Sequence, residues 1–112
     1  ILTSYKTRNL GDLAPLCSEA NRPMFSALAQ QGVKHPRYGS LFKGWRWTAV
    51  EAWNGTISDV RYPSATRAWA AFREAPAGTL AVVELVRERG KWLFEDIQNL
   101  SRPDFQKAAT TP

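Results

Sequence analysis

The stretch from Thr79 to Ile97 constrains this chain more than any other. Thr79-Leu80-Ala81-Val82-Val83-Glu84-Leu85-Val86 is rich in β-branched residues and nearly apolar along both faces, which predicts a strand in the interior of a sheet. Arg89-Gly90 interrupts the pattern, and Lys91-Trp92-Leu93-Phe94-Glu95-Asp96-Ile97 resumes it. The two runs are therefore expected to pair antiparallel across a tight turn. An interior strand needs a neighbour on its other edge, and the sequence upstream has to supply it.

From Gly44 onward the pattern alternates. Trp45, Trp47, Ala49, Glu51 and Trp53 fall on one side of an extended chain, with Arg46, Thr48, Val50 and Ala52 on the other. Asn54-Gly55 follows, a pair that tolerates positive φ at both central turn positions, so a hairpin with Thr56–Tyr62 is predicted. Pro63-Ser64 ends that strand. Thr66–Phe72 holds three alanines that would permit a helix, but its place between strands favours an extended segment. Ala75-Pro76-Ala77-Gly78 reads as a turn. The sheet is thus expected over about 44–98.

The opening of the chain has a different period. Leu10, Leu13, Leu16 and Cys17 recur at helical steps behind Asn9, a suitable N-cap, and Met24, Phe25, Leu28 and Ala29 continue a helical stripe after Pro23. Gly32 supplies a stop. Helices are expected over about 9–32, as two short ones or one kinked at Pro23, with a loop at His35–Ser40 and a frayed tail over 101–112. Helices first and hairpin-linked strands after predict an α+β fold, with N-terminal helices packed on a curved, mainly antiparallel sheet. At 112 residues the chain has room for one core, so a single domain over 1–112 is expected.

One Cys and one His exclude an intramolecular disulfide, a Cys-rich zinc site and any site built from several histidines. No metal or cofactor is expected. Cys17, in a Leu-rich segment, reads as a small buried hydrophobe; a dyad with His35 would have to unite two separate segments. Fifteen Lys and Arg against ten Asp and Glu give a formal charge of +5. These charges are scattered from Lys6 to Lys107 and interrupted by acids, which suits solubility and an acidic partner better than nucleic acid. No apolar run approaches the ~20 residues of a membrane span. Ile1 opens the sequence without a basic-then-apolar leader, so a soluble domain without an uncleaved signal peptide is expected, in periplasm or cytoplasm.

The run Leu80–Ile97, with its long apolar strand, charged-Gly-Lys-Trp turn and Asp-Ile ending, resembles the closing hairpin of nuclear transport factor two-like domains. The Leu-rich helical opening and the Trp-containing strand also resemble small bacterial members of that superfamily, many of unassigned function. The resemblance spans about Leu10–Ile97 and departs from the family at the start, where the long first helix is short or missing. It implies a cone in which a bent sheet wraps helices and leaves a pocket, with a homodimer formed through the sheet face. Members include isomerases and dehydratases with an Asp inside the cone, ligand binders and scaffolds. No catalytic motif of the family matches this sequence.

Candidates for acid or base chemistry are Glu51, Asp59, Glu84, Glu95 and Asp96, with Tyr38, Tyr62 and His35 as donors. Arg46, Arg61, Arg67, Arg73 and Arg87 are interleaved with them and offer cross-strand ion pairs instead, so no catalytic residue is assigned. The tryptophans carry more information. Trp69 and Trp92 are assigned to the core, whereas Trp45, Trp47 and Trp53 share one strand face and, with Tyr62, form the expected binding surface. An enclosed cavity of at least ~300 Å³ behind them would point to a small ligand, and a filled core to a partner. The leading expectation is a non-enzymatic domain that binds a small apolar ligand or a protein partner through an aromatic-lined concave face. Behind it stand an accessory or immunity-type protein that docks on another protein, and an isomerase- or dehydratase-like enzyme with a buried carboxylate. Lys43-Gly44-Trp45-Arg46-Trp47 mixes cations with rings on which bases could stack, but the scattered charge disfavours that use.

Overall fold

The Leu-rich opening is helical, and the helices run further than the stripe from Leu10 suggests. A computed structural model describes residues 1–112 apart from the side chain of Pro76. The chain divides into two units, Ile1–Ala52 and Trp53–Pro112. The first holds α1 (Leu2–Lys6), α2 (Leu10–Leu13), α3 (Arg22–Gln31), α4 (Tyr38–Leu41) and α5 (Gly44–Glu51).

Local chemistry explains most of these boundaries. Asn9 caps α2, its Oδ1 accepting the Asp12 N–H at 3.1 Å while its Nδ2 donates to Asp12 Oδ2 at 2.8 Å. Pro23 sits in the first turn of α3, where its missing N–H costs nothing. Gly32, at φ +56, ends that helix in a conformation that suits glycine. Leu13, Cys17 and Leu28 are fully buried where α2, α3 and the 3-10 turn Ala14–Leu16 meet.

Two expectations fail in this unit. Tyr38–Leu41 is a helical turn where a loop was expected, and Gly44–Glu51 is a helix where a strand was expected. Over eight residues the alternation and the helical period compete, and burial decides between them. Trp47 and Val50, three apart, are the buried residues of α5, while Trp45, Arg46 and Thr48 face outward. Thr48 Oγ1 donates to the Gly44 carbonyl one turn back, at 3.0 Å.

The second unit is a four-stranded antiparallel sheet in the order β1-β2-β3-β4: β1 (Asp59–Ser64), β2 (Arg67–Ala75), β3 (Thr79–Glu88) and β4 (Lys91–Ser101). The fold is therefore α+β, with an open sheet. β3 is an interior strand, as its apolar run predicts. It meets β4 across Arg89-Gly90, whose φ values of +52 and +75 give the two positive angles of a type I′ turn. Ala77 and Gly78, at φ +63 and +73, make the expected turn between β2 and β3.

The hairpin expected at Asn54-Gly55 lies elsewhere. β1 and β2 close across Ala65-Thr66, with Ser64 paired to Arg67. Asn54 Oδ1 instead accepts from the Thr56 N–H at 3.0 Å and from Thr56 Oγ1 at 2.6 Å, a side-chain turn that uses the pair's flexibility without joining strands. Pro63 does not end β1, because β1 is an edge strand and tolerates a missing donor.

The tail is folded from Arg102 to Lys107, as α6. Ser101 Oγ caps it by accepting the Asp104 N–H at 3.2 Å, and Phe105 is buried with Ala71, Leu80 and Val82 on one sheet face. Tyr62 and Ala109 then exchange backbone bonds of 2.7 and 3.2 Å, which ties the segment after α6 to β1.

Candidate functional site

In the helical unit, Gly44 takes φ +79 and turns the chain from α4 into α5, so the two ends of the Lys43–Trp47 run face different surroundings. Trp47 points inward. Its ring stacks on Tyr5 at 5.7 Å between centroids with planes 22° apart, and Phe42 meets it edge-on at 5.0 Å. The Arg8 guanidinium covers both, 4.6 Å from the Phe42 ring and 5.1 Å from that of Trp47. Tyr5 Oη donates to the Leu41 carbonyl at 2.7 Å, which fixes the ring that carries Trp47. This aromatic cluster is core.

Trp45 points outward and is 45% exposed, with the Arg46 guanidinium 4.9 Å from its ring centroid. It lies on the rim of an open cleft of about 240 Å³. Tyr5, Met24, Leu28 and Leu41 supply the apolar lining; Arg37, Ser40, Lys43, Gly44, Trp45 and Arg46 supply the rest. None of these lining residues is acidic. Arg37 Nη1 donates to the Met24 sulfur at 3.6 Å, a weak bond that leaves its charge uncompensated. Lys43 is the N-cap of α5, and its side chain makes no capping bond.

Charge is divided unevenly between the units. Ile1–Ala52 carries seven Lys and Arg against three acids, and Trp53–Pro112 carries eight against seven, so +4 of the +5 belongs to the helical unit. The basic residues are scattered along both units, as expected, but acids interrupt them less often in the helical one.

A second cleft, of about 380 Å³, lies in the sheet unit beside β1 and α6. Both acids in its lining, Asp59 and Glu74, are held in ion pairs. Arg61 Nε donates to Asp59 at 3.0 Å, Arg102 Nη2 donates to Glu74 at 2.7 Å, and Asn54 Oδ1 is occupied by Thr56. Its rings, Phe72 and Phe105, are buried and present little surface for stacking.

Glu84 is the buried carboxylate of the sheet, 8% exposed. Arg67 Nη1, Trp69 Nε1 and Gln98 Nε2 each donate to it at 2.9 Å. Trp69 is its cross-strand partner on β2 and places its N–H by register alone. Glu84 lines neither cleft. The remaining candidates are dispersed: Asp96 Oδ1 accepts the Ile97 N–H at 2.8 Å, and His35 Nδ1 accepts the Arg37 N–H at 3.0 Å. Cys17 is fully buried and donates to the Leu13 carbonyl at 3.4 Å. Burial pushes its thiol up to about 11, against an opposing pull from the Arg22 guanidinium. Among the described residues no group of three His, Cys, Asp or Glu stands ready to hold a metal ion, and no helix is long and apolar enough to cross a membrane.

The four residues expected to form the binding surface therefore part company. Trp45 lines the helical cleft and Trp47 is core on the other side of the same helix. Trp53 is half-buried in the sheet unit, its Nε1 donating to the Thr56 carbonyl at 2.7 Å, and Tyr62 packs on Trp92 at 5.8 Å. The shared strand face that grouped them does not exist, because α5 is not a strand. Arg37, Met24 and Tyr5 join the cleft from distant segments, and only the Lys43–Arg46 part of it shows in the sequence as a mixed cation and aromatic run. Comparison with protein-family models, with curated proteins and with solved structures returned no match.

Proposed function

We propose that this chain is a non-enzymatic binding domain that holds a small ligand in the cleft at the start of α5, with Trp45 as the ring on which the ligand stacks. The observation that carries this reading is the cleft itself: an apolar lining of Tyr5, Met24, Leu28 and Leu41 beside an exposed tryptophan. Apolar walls with a few placed polar groups are the usual make-up of small-molecule sites. The cleft is open and, at about 240 Å³, falls short of the enclosed cavity of at least ~300 Å³ expected behind the tryptophans, so the reading narrows to a one-ring molecule held at the surface. Glu84 supports no enzymatic reading, since three N–H donors occupy its oxygens on the sheet. Titration with one-ring compounds, followed by tryptophan fluorescence and amide chemical shifts, tests the proposal. Shifts should cluster at Tyr5, Leu41 and Trp45 and vanish in Trp45→Ala; shifts centred on Trp53 and Tyr62 would overturn it.

A second reading has its own support. The cleft is open, Trp45 is exposed, and tryptophan with arginine is a favoured pairing at protein interfaces. An accessory or immunity-type protein would place an acidic segment of its partner there. The family reading, a nuclear transport factor two-like domain with a homodimer through its sheet, draws support from the β3–β4 hairpin and the Leu-rich helical opening. A third support, the tryptophan strand, is lost, because Gly44–Glu51 is the helix α5.

A further inference from the structure

We infer that the cleft beside β1 and α6 is a second binding site, for a small polyhydroxylated carboxylate of the sugar-acid kind. It lies wholly within the sheet unit and shares no lining residue with the cleft at α5. Phe72, Arg73 and Glu74, three successive residues of β2, all line it, although a regular strand sends neighbouring side chains to opposite faces. The register shift between Ala71 and Arg73 accounts for this, because a bulge bends its strand and re-aims the side chains beside it.

Charge selects a monoanion. Asp59 is held by Arg61 and Glu74 by Arg102, which leaves Arg73 as the charge in the lining without a counterpart: among the described residues its side chain makes no ion pair and no hydrogen bond. A lone exposed arginine is ordinary surface. One that a bulge brings to a cleft of about 380 Å³, above the ~300 Å³ lower end for small-molecule sites, is placed to meet a ligand. Its planar fork matches a carboxylate through two parallel N–H bonds.

The rest of the lining asks for hydroxyl groups. Asn54 Oδ1 is taken up by Thr56, but among the described residues Asn54 Nδ2 and the side-chain amide of Gln106 make no hydrogen bond. Those amides donate and accept, and Thr56 Oγ1 still has a lone pair to offer, so hydroxyls on a short carbon chain find partners on both sides. Phe72 and Phe105 are buried and give no ring face for stacking, so an aromatic ligand gains nothing here.

Gluconate, sorbitol and acetate, titrated separately into the intact chain and followed by amide and arginine side-chain shifts, test this. Gluconate joins a carboxylate to a polyol, and each of the other two keeps one part. Gluconate should bind at least about tenfold more tightly than either, with shifts centred on Asn54, Arg73 and Gln106, and its affinity should fall with added salt. Arg73→Gln should reduce gluconate to the level of sorbitol, whereas Lys91→Gln, which removes the same charge from an exposed position outside the lining, should leave its affinity unchanged. Equal affinity for acetate and gluconate would overturn the polyol and reduce the site to a bare carboxylate contact. Equal affinity for sorbitol and gluconate would overturn the role of Arg73. If none of the three shifts Arg73, or if gluconate shifts Arg37 and Trp45 instead, the second site is overturned, while the cleft at α5 stands or falls on its own titration.

Discussion

The two units treat charge in opposite ways. In the sheet unit, Glu84 is buried under three donors, Asp59 holds Arg61, and Glu74 holds Arg102, so charge there is spent on structure. In the helical unit, Arg37, Lys43 and Arg46 line a cleft with no acid among its lining residues, Arg37 donating to the Met24 sulfur and Arg46 lying over the Trp45 ring. A charge held by a partner of opposite sign is part of the fold, whereas like charges gathered in one cleft repel and add little to it. The same division runs through α5 at a smaller scale. Trp47 is wrapped by Tyr5, Phe42 and Arg8, while Trp45, two residues away, stands on a cleft rim.

That contrast breaks most visibly at Trp47. Replacing it with Ala removes the ring on which Tyr5 and Phe42 close, and we expect a loss of about 3–5 kcal/mol in denaturant unfolding. Trp45→Ala should stay within about 0.5 kcal/mol of the parent chain. If the two substitutions cost the same, Trp45 is structural and the cleft loses its aromatic wall.

Glu84→Ala comes next, at about 3 kcal/mol. It strands the Trp69 and Gln98 donors, but Arg67, whose side chain is 43% exposed, can turn to water and soften the loss. Glu84→Gln keeps an acceptor of the same shape and should cost clearly less. A Glu84→Ala chain as stable as its parent would mean that this buried carboxylate is not serving the fold.

The sheet unit was also the more legible half, for a physical reason. β3 and β4 are joined by a two-residue turn and one continuous apolar pattern, so the sequence holds both the strands and their pairing within one short segment. Helix α5 escaped because over Gly44–Glu51 the period-two reading and the helical reading use overlapping positions. What decides between them is Trp47 packing on Tyr5, a contact from far up the chain. Asn54-Gly55 misled because the freedom of the pair serves a side-chain turn, while the true hairpin at Ala65-Thr66 has neither Asn nor Gly to announce it. α6 did leave a signal, Ser101 three residues ahead of Asp104 with Pro103 in the first turn, and Phe105 as its anchor. Of the cleft, one edge was readable as the run Lys43–Trp47. Arg37 and Tyr5 arrive by folding, and no local pattern marks them.

Cys17 offers a subtler test, within the helical unit. Its thiol rises from an ordinary 9.0 to about 11 because burial disfavours the thiolate. The folded state therefore holds this proton more tightly than the unfolded state, an advantage complete below about 9 and lost as pH climbs through about 11. Compared with Cys17→Ala, the parent chain should lose stability over that window and match the variant's pH dependence below it. Identical pH dependence throughout would mean the thiol is solvated, as would rapid labelling of the native protein by a thiol reagent at neutral pH.

The smallest expected effect is the sharpest test of the contrast between the units. Lys43→Gln and Arg37→Gln should each leave stability within about 0.5 kcal/mol of the parent, with any change toward greater stability, because each relieves repulsion without breaking an ion pair. Arg67→Gln, a removal of the same charge from the sheet unit, should destabilise, because it withdraws a 2.9 Å donor from a buried carboxylate. Measured side by side by denaturant unfolding, the three variants turn a difference in charge compensation into a difference in sign. If Lys43→Gln or Arg37→Gln destabilises as Arg67→Gln does, the cleft cations are holding the helical unit together and are not free to meet a ligand.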